Sequence, residues 1–136
     1  MMMWAFISGT LIPVAMMACY PVFKHLARGE PNSWSGYRTA RAMASTRNWR
    51  EANLLAAQYW LRYGALLGVV CVLTYAVLYF SGNRDIGTWQ NVALLLAVVG
   101  LGVMAGTCIP IERRLAAMDR DAKSGGSVVG QRWPSA

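Results

Sequence analysis

The chain has 136 residues, 56% of them hydrophobic and 14% charged, with a formal net charge of +7. That length holds one domain, and the composition departs from soluble globular proteins towards membrane proteins. A basic balance alone would admit nucleic acid as a partner; the charges, however, are placed as membrane topology requires, so no nucleic-acid role is expected.

Residues 1–23, 63–83 and 86–111 contain no Asp, Glu, Lys or Arg. A hydrocarbon core about 30 Å thick needs roughly 20 helical residues to cross it. Helices satisfy their own backbone hydrogen bonds there. The prediction is an all-α membrane protein with three transmembrane helices, over about residues 3–23, 61–80 and 89–110. A cytoplasmic amphipathic helix is expected between the first and second spans.

The first stretch lacks the positive n-region and small-residue cleavage site of a signal peptide, so it is expected to remain as a span. Pro13 should bend it, and Trp4 suits an interfacial belt. Lys24, His25 and Arg28 mark its inner boundary. His25 is the sole histidine; a metal or pigment ligand is one reading, an interfacial polar group the simpler one. No metal and no cofactor are expected. Cys19, Cys71 and Cys108 have no CxxC or Cys/His spacing, which predicts reduced, packed thiols.

Between spans one and two lie Lys24, Arg28, Arg38, Arg41, Arg47, Arg50 and Arg62, and after span three Arg113, Arg114, Arg120, Lys123 and Arg132. The loop between spans two and three has Arg84 alone, next to Asp85. This distribution predicts a multi-pass protein with its N-terminus outside and its C-terminus cytoplasmic.

Gly29 and Pro31 end the first helix, and Ser45 or Thr46 can cap the next by accepting from a free backbone N–H. From there the three-and-four spacing places Trp49, Ala52, Asn53, Ala56 and Trp60 on one side. This is the expected amphipathic stretch, with Trp49 and Trp60 at headgroup level. "FSGNRDIGT" is a tight outer turn, and Pro110 should close span three. Gly64 with Gly68, and Gly102 with Gly106, have the small-xxx-small spacing that lets helices approach closely in lipid. Packing of spans two and three, or dimerisation, would use them. A short charged helix and a mobile tail over residues 122–136 complete the chain, leaving residues 1–121 as the membrane domain.

The spans hold no acid, base or cation, and no nucleophile–base set or phosphate loop occurs, so binding rather than catalysis is expected. Arg38 and Arg41 lie three apart on one face of any helix, and Gly36 permits close backbone approach. Paired arginine forks fit phosphate oxygens, which makes anionic lipid headgroups the simplest ligand.

The segment "PNSWSGYRTARAMASTRNWREAN", residues 31–53, resembles the signature of the SdpI/YfhL family of small bacterial membrane proteins. Asn32, Gly36, Tyr37, Arg38, Thr39, Met43, Ser45, Trp49, Ala52 and Asn53 fit it in register. "IERRLAAMD", through Glu112, Arg113, Arg114, Leu115 and Asp119, is similar to the family's ending. Ala42 and Asn48 depart from the pattern, where Ser and an acidic residue are common; without that acid the helix cap should be weaker. The resemblance implies the bacterial inner membrane and immunity against a membrane-active toxic peptide. Asn32, Gly36, Tyr37, Arg38, Thr39, Trp49 and Asn53 are then the candidate binding residues. Arg38 would hold an anionic group, Trp49 anchor the helix, and Asn53 bond the loop back onto span two. The alternative is an accessory transmembrane subunit at the periphery of a larger membrane complex.

Overall fold

The computed structural model describes residues 2–129, and these are helical, with one 3-10 turn and connecting loops. The helices are α1 (Met2–Leu26), α2 (Thr46–Phe80), α3 (Ile86–Gly106) and α4 (Cys108–Val129). The 3-10 turn covers Ala42–Ala44. Three apolar helical stretches are long enough to cross a membrane: Met3–Leu26, Thr46–Phe80 and Ile86–Ser124. The chain is therefore a multi-pass helical membrane protein.

Two boundaries differ from the expectation. No separate surface helix lies between the first two spans; the amphipathic stretch is the opening of α2, which runs unbroken for 35 residues. At 1.5 Å per residue α2 is about 52 Å long, well over the hydrocarbon thickness, so its first turns stand clear of the apolar layer. Helix α3 ends at Gly106, ahead of the expected stop at Pro110. Pro110 offers no N–H to the Gly106 carbonyl and its ring crowds that carbonyl, so the break falls one turn earlier, at Thr107. Pro110 is then accommodated in the first turn of α4. That helix extends to Val129, into the segment expected to be a mobile tail, of which residues 130–136 lie outside the described residues.

Helix α1 packs against both α2 and α3, which touch each other much less. Pro13 leaves the Gly9 carbonyl without its helical donor. The Cys71 thiol of α2 donates to that carbonyl at 3.6 Å, and one turn away the Tyr75 hydroxyl donates to the Ala5 carbonyl at 3.0 Å. A Cβ on Gly9 would collide with the Tyr75 hydroxyl, so glycine is what lets the ring in.

The small-residue contacts are not those expected. A Cβ on Gly64 would stand 3.0 Å from the Met16 Cβ and 3.1 Å from the Pro13 carbonyl oxygen, so Gly64 serves α1–α2 packing. Gly68 faces Pro13 and Met17 at ordinary van der Waals distance, and nothing lies within 4 Å of the Cβ positions of Gly102 and Gly106. In α3 the tight contact is Gly100, whose Cβ would stand 3.0 Å from both Ile12 and Leu67.

The core is in two parts. At membrane depth Ala5, Leu67, Cys71, Tyr75, Trp89, Ala93 and Leu96 form one cluster. At the end nearer the loop, Phe23, Tyr37, Ala42, Ala52, Ala56, Ala57, Ile111, Leu115 and Met118 form the other. The turn between α2 and α3 is fixed by Asp85, whose carboxylate accepts from the Thr88 hydroxyl at 2.7 Å and its N–H at 2.8 Å. Those bonds hold its carboxyl below the ordinary range.

Candidate functional site: a signature loop clasped onto two helices

The site is built outward from Ser45. Its extended backbone stops the chain before α2, and its hydroxyl accepts the Asn48 N–H at 3.1 Å. No carboxylate returns the bond, as Asn48 predicted, but Asn48 has other work. Its amide donates to the Asp119 carboxylate at 2.9 Å and to the Arg41 carbonyl at 3.1 Å. The departure from the pattern thus exchanges half a capping box for a link to α4. Ala42 is fully buried, where a serine hydroxyl would need its own partner.

Four residues later Trp49 and then Asn53 face inward. Trp49 is 0% exposed, and its indole N–H donates at 2.9 Å to the Leu26 carbonyl at the end of α1, which also accepts the Gly29 N–H at 3.1 Å. The expectation that it sits among headgroups is therefore corrected: Trp49 packs inside the protein and joins α2 to α1. Trp60 is half-buried and donates to the Thr107 hydroxyl at 3.1 Å, across the α3–α4 break. Asn53, equally buried, accepts the Tyr37 N–H at 2.9 Å and donates to the Trp49 carbonyl at 2.9 Å. It ties the loop to α2.

Gly36 makes this approach possible. Its φ is +101°, and a Cβ there would lie 2.7 Å from the Asn53 carbonyl oxygen and 3.0 Å from the Trp49 ring. Glycine is needed twice over, for conformation and for space. Before it, the Asn32 side chain accepts the N–H groups of Trp34 and Ser35 at 3.1 and 3.0 Å, an Asx turn that shapes the loop from within.

After it, the loop reaches α4. Glu112 Oε1 accepts from the Thr39 hydroxyl at 2.6 Å and the Tyr37 hydroxyl at 3.2 Å. Its other oxygen accepts from Arg41 at 3.2 Å. Arg41 also pairs with Asp119 at 3.3 Å. Burial first, then its neighbours Cys108 and Glu112, push the Tyr37 phenol well above its ordinary value, so it stays a neutral donor. Two residues beyond Glu112, exposed Arg114 pairs with Glu51 of α2 at 3.2 Å.

Asn32, Gly36, Tyr37, Thr39, Trp49 and Asn53 are therefore brought together, with their polar groups turned mostly inward. Arg38 is exposed and makes no ion pair among the described residues. Sequence reasoning used Glu112 and Asp119 only for resemblance and missed them as the loop's acceptors. The signal was present: two acids seven residues apart share a helix face, in a basic segment opposite Arg41. His25 is exposed, and among the described residues no group of His, Cys, Asp and Glu is placed to hold a metal. The cysteines are free; Cys71 is buried, Cys19 half-buried and Cys108 exposed, so Cys108 is not the packed thiol expected.

At membrane depth an open apolar groove of about 520 Å³ runs between α1 and α2. Phe6, Val14 and Met17 line one side, Val69, Val72 and Leu73 the other. Pro13 and Gly68 also line it.

Helices, clasp and groove define a small three-span membrane protein whose first interhelical loop is locked between its second span and a terminal helix. The chain belongs to the SdpI/YfhL protein family, whose model matches residues 28–109. The matched region takes in the clasped loop and the second and third spans, while Glu112 and Asp119 fall just beyond it. No curated protein and no solved structure gives a significant match.

Proposed function

We propose that the protein is a non-enzymatic, immunity-like component of the bacterial cytoplasmic membrane, with its N-terminus outside and the clasped loop and C-terminus inside. It protects the bilayer by engaging a membrane-active toxic peptide, or by occupying the lipid site that such a peptide needs. Family membership agrees with this role. The observation that carries it is the α1–α2 groove, open at membrane depth and apolar on both walls. Its volume falls in the range of ligand sites, roughly 300–1,000 Å³, and an amphipathic helix places its apolar side chains into such a groove. On the inner side Arg38, left unpaired by the clasp, holds an anionic lipid headgroup.

Gly68 gives the test. A first Cβ there meets only ordinary contacts, so Gly68→Leu should fold and fill the groove. Proteoliposomes bearing the wild-type chain should leak dye severalfold more slowly under secreted pore-forming peptides than Gly68→Leu proteoliposomes. Mild extraction of native membranes should yield the chain free or self-associated. Stoichiometric migration with a large assembly would overturn the reading and make the chain an accessory subunit.

A further inference from the structure

Trp34 is 90% exposed, the most exposed large hydrophobic side chain among the described residues. A tryptophan carries about 150–250 Å² of largely apolar surface. On a slack loop the ring would fold back onto the protein. This loop is not slack. The Asn32 side chain holds the Trp34 and Ser35 N–H groups, Gly36 turns the chain at positive φ, and Asn53 fixes the Tyr37 N–H. The backbone on both sides of Trp34 is held, and its indole is left bare.

The surroundings indicate what covers it. Arg28 and Arg38 flank the loop, exposed and without ion pairs among the described residues. The nearest acid in sequence, Glu30, accepts the Thr46 hydroxyl at 2.7 Å. The loop begins where α1 ends, beside the Leu26 carbonyl that Trp49 holds. Exposed Lys24, Arg62 and Arg113 mark that same end of the three spans. A bare indole flanked in sequence by exposed cations, on a loop that starts where α1 ends, has the composition of an interfacial anchor for anionic lipid.

We propose that Trp34, with Arg28 and Arg38, seats the loop on the anionic inner surface of the bilayer, the indole lying at headgroup level. The proposal extends the lipid contact assigned to Arg38 and does not involve the groove or a toxin. The leakage and extraction experiments can therefore fail without touching it, and the reverse also holds.

The experiment uses the full chain in vesicles. Subtracting the fluorescence of Trp34→Phe from that of the wild type isolates the Trp34 component from the other five tryptophans. At 90% exposure this substitution removes no packing and no side-chain hydrogen bond. In vesicles containing phosphatidylglycerol the component should be blue-shifted and lose about twofold in intensity to lipids brominated near the headgroup, the depth at which interfacial tryptophan sits. Quenching should be weaker in purely zwitterionic vesicles, and weaker again for Arg38→Gln in anionic ones. Water-like emission without quenching in either vesicle overturns the proposal. So does equal quenching in both, or a blue shift that appears only when polyglutamate is added as a mimic of an acidic protein segment.

Discussion

Asn53 shows how the signature residues divide their work. Its carbonyl oxygen takes the Tyr37 N–H and its amide reaches the Trp49 carbonyl, all fully enclosed. Leucine has a similar bulk but neither polar group. Asn53→Leu therefore strands the loop's N–H against an apolar branch that also presses on Gly36. An unsatisfied buried donor costs about 1–3 kcal/mol. The thermal midpoint in detergent should fall, and the loop should become susceptible to protease before the spans do; an unchanged midpoint would remove Asn53 from the clasp. Arg38 is the contrast. Exposed and unpaired, it can be replaced with little effect on melting, so a loss at that position would report on binding.

Between elements, glycines serve where backbones meet. At Gly64 the space for a side chain is taken by Met16 and the Pro13 carbonyl; at Gly102 it is open. Gly64→Leu should push α1 off α2 and lower the midpoint by at least 1 kcal/mol equivalent, the scale of overpacking. Gly102→Leu should be neutral or slightly stabilising, since glycine costs a helix about 1 kcal/mol. Paired melting curves of the two variants in the same detergent decide it, and equal losses would mean that α3 has a further contact at Gly102. The four-residue spacing of glycines was legible in the sequence, but spacing names a helix face and not the helix that occupies it. The three spans were legible because charge is excluded from lipid, and the Ser45 cap because an exposed N–H needs an acceptor. The direction faced by Trp49 was not: an indole on an amphipathic stretch suits a headgroup layer and a protein interior equally. What decided it was the Leu26 carbonyl, which no local pattern places nearby. The shared face of Glu112 and Asp119 was legible too, but not what docks on it, since more than 70 residues separate these acids from Thr39, Arg41 and Asn48.

For the molecule as a whole, the two clusters of core residues are held by different physics. In lipid, exposed leucine and buried leucine have similar surroundings, so the cluster around Tyr75 depends on packing and on bonds such as Tyr75 to Ala5. Where the first turns of α2 stand clear of the apolar layer, burial also removes surface from water, and the part of the Leu115 cluster there gains a hydrophobic term as well. Leu115 is central to that gain. It is fully buried and clusters with Ala42, Ala52, Ala56 and Ala57, side chains too short to fill a space it vacates. Leu115→Ala should therefore cost about 2–5 kcal/mol, transfer and cavity together. The loss should be local, because α1, α2 and α3 remain lipid-stable helices whether or not the loop is docked. Hydrogen exchange of the variant in nanodiscs should show amides of residues 37–53 and 111–119 opening together by orders of magnitude faster, with amides of residues 64–75 and 93–100 unchanged. Uniform acceleration across both sets would mean that clasp and spans unfold as one unit. In the local case the loop is a separately released element, and release must break the bonds that Glu112 accepts from Tyr37, Thr39 and Arg41 at once.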